Sequence, residues 1–344
     1  PEQFSFETGL YFLDNDSRAI DENVKILSFT TMIKYVFSLV GGLNKDFLDE
    51  GTSKILMSLA VESCSDSLNL YKKQIKNRSF VDTMLATINE YKSNCIASDD
   101  LLAVKAQVSN TTLKQKLEET ALILDTYSTL VEGSYTHTQD ILSYMAQAIE
   151  KHGIFNGYAV FIDAFTGFTG QQYRVLKAIM SQSDEVFVTL STECRNNRVD
   201  DTSIRFRVTI DTYHRIRALA DACSQQVHEL YEPFLINRRT ACSDLKAVEE
   251  NLYAFPSKAY NITPQNIHIY SATNIYSECE YVASIIKQLT LSGKYRYKDI
   301  AVVCRDEDMY RGILDVTFEK FGIVGLISGY AVFSVLLGMS KAPM

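Results

Sequence analysis

What the chain lacks narrows it first. It has no tryptophan, but 18 Phe and 20 Tyr keep its aromatic content ordinary, so that absence excludes nothing. Its seven cysteines are Cys64, Cys95, Cys194, Cys223, Cys242, Cys279 and Cys304, and the nearest two in sequence are 19 positions apart. That spacing leaves no CxxC pair and so no zinc-finger or iron–sulfur pattern. An odd count with no secretory signal before it predicts reduced, mostly buried thiols in a cytoplasm. The five histidines (His137, His152, His214, His228 and His268) are scattered. No HExxH, GxSxG or paired His–Cys arrangement exists, which removes the common hydrolase templates. There is no excess of positive charge either. A net charge of −8 excludes a chain that coats nucleic acid by bulk charge and leaves room for one local basic groove.

What is present is an ordinary soluble composition, 46% hydrophobic and 22% charged, over 344 residues, enough for two or three domains. Residue 1 is Pro rather than Met, so we expect the chain to start inside a longer frame. Phe4 to Leu13 reads as an opening helix and Val24 to Leu27 as a short buried strand. Ser28 then precedes a helix whose apolar residues Met32, Ile33, Val36, Phe37 and Val40 recur at helical spacing until Gly41 and Gly42 stop it.

Residues 45–155 carry almost no strand signal. Four amphipathic stretches predict a helical block: Leu48, Leu56, Leu59 and Ala60; Phe80, Met84, Leu85 and Ile88; Leu113, Leu117, Ala121, Leu124 and Tyr127; Ile141, Met145 and Ile149. The cations Lys72, Lys73, Lys76 and Arg78 on this block read either as a solvated face or as a DNA contact.

The pattern changes at Tyr158. Tyr158–Ile162 and Val186–Leu190 are continuous apolar runs, as in strands buried on both faces, and Gln172–Met180 between them is helical. That order is a βαβ unit of a parallel sheet. Arg195 to Arg217 follows, with six Arg against three Asp, and Thr209–Gln226 reads as a helix. A second such unit is expected from a strand at Ile267–Tyr270, a helix at Glu278–Leu289 and a strand at Ile300–Val303, with a further helix at Tyr310–Phe321. The partition is residues 1–44 and 156–260 as a first α/β domain, 45–155 as its helical insertion, and 261–344 as the start of a second. Gly322 to Ser340 holds no charge; a buried strand–turn–strand or an abnormal chain end is expected there rather than a membrane anchor.

Asp163 directly follows the first buried strand. Nucleotide-hydrolysing motors place the carboxylate that holds Mg²⁺ at this point, at the carboxyl edge of the sheet. A helix-capping Asp gives the same pattern. In superfamily 1 DNA helicases the strand runs into Asp-Glu, an aromatic residue, Gln-Asp and a later Gln. This chain is similar at Asp163, Phe165 and Gln172, but Ala164 stands where that Glu would polarise the attacking water, and Thr166-Gly167 replaces Gln-Asp. The phosphate-loop pattern GxxxxGK[ST] is absent from these residues and would belong before Pro1. STECRNN follows the second strand where a working motor has Gly-Asp…Gln. A motor fold with a disarmed hydrolytic centre is expected.

Several strings together resemble the AddB subunits of bacterial AddAB helicase–nucleases: PEQFSFET, ILSFTTMIKYVFSLVGG, FNGYAVFIDAFTGFTGQQYRVL, and YKDIAVVCRDEDMY with FEKFGI. The likeness runs from Pro1 to about Ile323, and FIDAFTGFTGQQ is its most specific piece. The resemblance implies a helicase-like α/β fold of the P-loop NTPase type with an inserted helical subdomain and the start of a second motor-like domain. It implies a heterodimer with an AddA-type subunit, contact with single-stranded DNA, and service in double-strand-break resection, recombination and Chi recognition without driving unwinding. It also implies ATP and Mg²⁺, and a 4Fe–4S cluster that lies in a nuclease region outside this chain. After FEKFGI the chain departs from the family pattern, and a frameshift or fragment boundary is the simplest account.

On that resemblance Asp163, Gln172 and Arg305 are the candidate nucleotide contacts, with Asp163 the candidate Mg²⁺ ligand. Ser28, Phe29 and Thr30, with Arg205 and Arg207, are the candidate DNA contacts. Each has a plainer alternative: Ser28 as a helix N-cap, Arg305 in a surface ion pair, the arginines in a solvated loop. An active DNA-dependent ATPase and a purely structural partner-binding module are the rival functions.

Overall fold

The computed structural model describes residues 24–41, 48–132, 140–163, 165–195, 198–230 and 242–323, with short strands at 326–327 and 332–334. The helix expected at Phe4–Leu13, residue Ala164 and most of the uncharged tail lie outside them. The chain divides into two compact units, Pro1–Leu235 and Ile236–Met344.

The first unit holds two cores. One belongs to four helices: α2 (Glu50–Ser63), α3 (Arg78–Ser93), α4 (Ser98–Gln107) and α5 (Thr111–Glu132). Met57, Ala60 and Val61 of α2 meet Phe80, Met84, Leu85 and Ile88 of α3, Leu101 of α4, and Ala121, Leu124 and Tyr127 of α5. Tyr127 is fully buried, and burial pushes its phenol up to about 12. Glu119 is a buried charge here. Its carboxylate accepts the backbone N–H groups of Asn69 at 2.9 Å, Leu70 at 2.8 Å and Tyr71 at 3.0 Å, which ties the turn after α2 to α5.

The second core joins α1 (Phe29–Val40), α6 (Ile141–His152), β1 (Ala159–Ile162) and α7 (Gly170–Met180), and β2 (Glu185–Val188) pairs with β1 at its edge. Its buried members include Val36 of α1, Met145 and Ile149 of α6, and Val175 and Ile179 of α7. Thus the fourth amphipathic stretch of the helical block, α6, packs with the sheet and not with the other three. Gln182 fixes it there: its side chain donates to Ile149 O at 3.0 Å and accepts from Phe155 N at 3.0 Å.

β1 and β2 are parallel, with Ala159 opposite Glu185 and Ile162 opposite Val188, and α7 crosses between them as the βαβ reading expects. The expectation of burial on both faces does not hold among the described residues. Val160 packs on the core that holds Val175 and Ile179 of α7 and Ile162 is buried, but Phe161 is 73% exposed and stacks on Phe187 at 4.6 Å on the open side. The strand expected at Val24–Leu27 forms no ladder among the described residues; it is an extended lead into α1. A strand needs a hydrogen-bonded neighbour, and an apolar run alone does not supply one. Two-residue strands β3 (Cys194–Arg195) and β4 (Arg198–Val199) pair antiparallel, and α8 (Arg207–Ala222) follows.

The second unit contains α9 (Ser243–Asn251), α10 (Ile275–Leu291), β5 (Ala301–Val303), α11 (Glu307–Tyr310), α12 (Leu314–Lys320), β6 (Leu326–Ile327) and β7 (Val332–Ser334). Cys279, Ala283 and Ile286 of α10 pack on Leu314 and Phe318 of α12. Asp244 anchors a loop by accepting from Asn266 N at 2.8 Å and Gln265 N at 2.9 Å; the Asn266 N–H above all holds its carboxyl down to about 2. Ile267–Tyr270, expected as a parallel partner of β5, is not a strand: Ile269 is 96% exposed. β5 pairs antiparallel with β7 instead, in the order β5-β7-β6. Two pieces of the tail, Leu326–Ile327 and Val332–Ser334, are thus strand. Among the described residues no helix is long and apolar enough to cross a membrane.

Candidate functional site

The carboxyl ends of β1 and β2 carry the candidate chemistry. Asp163 leaves β1 exposed, and its carboxylate accepts the hydroxyl of Thr189, the residue after β2. Thr189 also donates its N–H to Ile162 O at 3.0 Å, so the two strand ends are closed together. Sequence reasoning misses Thr189 inside the apolar run VFVTL; a lone hydroxyl at the end of such a run is the signal for it.

The loop after Asp163 is gripped by three helices. Phe165 meets Phe29 of α1 edge-on at 5.8 Å, and Phe168 lies 4.9 Å from Phe165 and 5.5 Å from Tyr173 of α7. Thr212 of α8 donates its hydroxyl to Thr166 O at 3.0 Å. Ser28 is buried and caps α1: its hydroxyl accepts Thr31 N at 3.1 Å, and Thr31 Oγ1 accepts Ser28 N at 2.7 Å. Ser28→Ala is expected to cost about 1 kcal/mol as a lost N-cap, seen as a lower urea midpoint. A loss of DNA affinity with no loss of stability would instead assign Ser28 to the nucleic acid. Of the expected DNA triplet, Phe29 is half-buried in the aromatic cluster and only Thr30 is exposed.

Gln172 is drawn into a second capping box. Its side-chain oxygen accepts Thr169 N at 2.9 Å, while Thr169 Oγ1 accepts Gln172 N at 3.3 Å. The residues between them make the joint to the helical module. α3 ends at Asn94, where Cys95 turns the chain with φ +59°, and Gly170 comes against this turn. A Cβ on Gly170 would lie 2.5 Å from Asn94 O. Gln171 is buried and donates to Lys92 O at 3.0 Å, and Lys92 pairs with Asp140 at 3.0 Å. The string FTGQQ is therefore read locally as a helix start and a clasp between the two cores.

Three of the six arginines of the stretch form ion pairs among the described residues. Arg205 is half-buried and bonds Glu193 at 3.2 Å, Arg207 is exposed and pairs with Asp211 at 3.3 Å, and Arg217 pairs with Glu229. Arg305, in the second unit, is exposed after β5 and borders a cleft of about 820 Å³ with Glu278 and Arg311. Tyr310 donates to Glu278 at 3.0 Å across that cleft.

For a metal, Asp163 offers one exposed carboxylate, with one oxygen engaged by Thr189. That suits Mg²⁺, which is commonly held by one or two carboxylates together with substrate phosphates. Among the described residues no three His, Cys, Asp or Glu side chains group to hold a metal.

The family model described as "ADDB, N-terminal" matches residues 1–249, well over half of the chain. The chain belongs to the AddB N-terminal family. It is 30% identical over 328 residues to the B subunit of the ATP-dependent helicase/deoxyribonuclease of Caldanaerobacter subterraneus subsp. tengcongensis, covering 94% of this chain and 28% of that protein. The protein of the same name in Clostridioides difficile strain 630 is 29% identical over 336 residues, 95% of this chain and 29% of that protein. This AddB-family chain thus spans less than a third of the length of the curated relatives it matches.

Proposed function

We propose that this chain is the helicase-like part of the B subunit of an ATP-dependent helicase/deoxyribonuclease, and that it holds and guides DNA without hydrolysing nucleotide at its own strand end. The observation that carries this is the strand-end pair. Asp163 stands at the carboxyl edge of parallel β1, bonded to Thr189, and the next residue in sequence, Ala164, has no group to take a proton from water. A Mg²⁺–nucleotide would be held by Asp163, the ion offsetting phosphate charge, with no general base beside it.

In this reading β1, α7 and β2 belong to a superfamily 1 motor sheet of the P-loop type, residues 48–132 form its inserted helical module, and the second unit begins a second motor-like domain. Thr30 and Arg207, the exposed members of the expected set, are offered to single-stranded DNA beside the aromatic loop, while Arg305 serves the nucleotide or a surface pair. The names of the relatives, as B subunits of a helicase/deoxyribonuclease, support a complex with a partner subunit; in this reading that partner is an AddA-type subunit, and the complex serves break resection, recombination and Chi recognition.

The test is steady-state ATP turnover by the chain together with its partner subunit, with and without oligo-dT. Asp163→Ala in this chain is expected to leave turnover unchanged. DNA-stimulated turnover by the chain alone, abolished by Asp163→Ala, would overturn the proposal in favour of an active motor.

A further inference from the structure

The geometry points to a contact for the phosphate backbone of duplex DNA on the helical module, at Lys72, Lys73, Lys76 and Arg78. It is separate from the strand-end site and stands or falls without it.

Between Asp66 and Asp82 the chain has these four cations and no acidic residue, within a protein of net charge −8. The turn that carries them is tightly wound. Lys72–Gln74 is a 3₁₀ turn, Gln74 N donates to Tyr71 O at 2.8 Å, Asn77 N donates to Gln74 O at 2.8 Å, and Asn77 then caps α3. At about 2 Å of rise per residue through the 3₁₀ turn and about 3.3 Å through the extended Asn77, Lys72 and Arg78 stand within roughly 15 Å of each other. A duplex presents one negative charge per about 1.7 Å of its axis, so a patch of that length meets several phosphates.

The turn is also held from below. Glu119 takes the N–H of Tyr71 at 3.0 Å, and the Tyr71 ring packs on Phe80 at 5.0 Å. The buried Glu119 carboxylate is occupied by these backbone donors and by Gln115 at 3.1 Å. Asp82, the nearest acid on α3, lies 3.7 Å from Lys54.

All four cations are exposed, and none forms an ion pair among the described residues, whereas Arg205, Arg207 and Arg217 do. No ion pair among the described residues offsets their mutual repulsion. Like charges repel, and Arg78 sits in the first turn of α3, where the helix dipole disfavours a cation. A partner with negative charge is what makes such an arrangement favourable. Among the described residues of the patch, 72–79, there is no aromatic ring, and the neighbouring Tyr71 is half-buried against Phe80. Single-strand sites combine charge with stacking rings. A charged surface without rings fits the outside of a duplex, read through phosphates and blind to sequence.

The experiment is fluorescence anisotropy of a labelled 30-base-pair blunt duplex and of labelled oligo-dT, titrated with the chain across a range of salt. The variant combines Lys72→Ala, Lys73→Ala, Lys76→Ala and Arg78→Ala. Duplex affinity at low salt is expected to fall at least about tenfold, and the slope of log affinity against log salt to drop by about three. Oligo-dT affinity is expected to change less than about twofold. A second variant, Lys72→Arg, Lys73→Arg and Lys76→Arg, keeps the charge and is expected to keep the slope. An unchanged duplex slope, no duplex binding by the parent chain at low salt, or an equal loss on both probes overturns the assignment.

Discussion

Gly170→Val is expected to lower the stability of the first unit by about 3 kcal/mol, the upper part of the range for overpacking. Glycine-to-alanine changes inside helices ordinarily stabilise, by about 0.5–1 kcal/mol. Here the sign inverts even for Ala, because the new Cβ would lie 2.5 Å from Asn94 O, 2.6 Å from its C and 2.9 Å from its Cα. These are backbone atoms at the end of α3, and no rotamer change moves them aside. The start of α7 must lift, which breaks the bond from Gln171 to Lys92 O. Urea unfolding checks this: a lower midpoint with an unchanged slope is expected. Wild-type stability for Gly170→Ala would show that the two cores do not meet at this joint.

Glu119→Ala is expected to cost about 3 kcal/mol, because it strips the charged acceptor from three backbone N–H groups at once. Its pH dependence follows from the same geometry. Burial pushes the Glu119 carboxyl up, but the N–H groups of Leu70, Tyr71 and Asn69, with Gln115, outweigh that and hold it below the ordinary glutamate range. A carboxyl lowered on folding stabilises at pH above its unfolded value of about 4.3 and loses that contribution as pH falls through its folded value. The stability difference between wild type and Glu119→Gln should therefore be full at pH 7 and shrink as the pH drops below about 4. A difference that stays constant through that window, followed by urea titration, would mean the carboxylate is not what holds the turn.

What is legible in the sequence is whatever is decided locally. Ser28 and Gly41 bound α1 because capping is a matter of neighbouring residues, and the observed helix Phe29–Val40 lies between them. The apolar runs before Asp163 and through Thr189 read as a parallel pair, as observed. Three things are not legible. A five-residue apolar run looks the same whether one face or both are covered, so the exposure of Phe161 cannot be read. Ile267–Tyr270 has strand composition, but a ladder depends on a neighbour that composition does not name. The clasp at Gly170 joins residues far apart in the chain, and nothing around Asn94 announces it. At the site, Asp163 and the cap at Ser28 are readable, but the bond from Thr189 and the pairing of Arg205 with Glu193 arise only when the strands close.

The separation of the two cores has a consequence for how the chain folds. The core of Met57, Ile88 and Tyr127 comes from one uninterrupted stretch, closed by short turns, so its contacts are near in sequence. The core of Val36 and Val175 must bring together residues from either side of that whole insertion. Low contact order favours rapid closure, and long loops delay it. The helical module is thus expected to form first and to shorten the effective loop between α1 and α7. The sheet domain then assembles around a finished insert, and the clasp at Gly170 closes last.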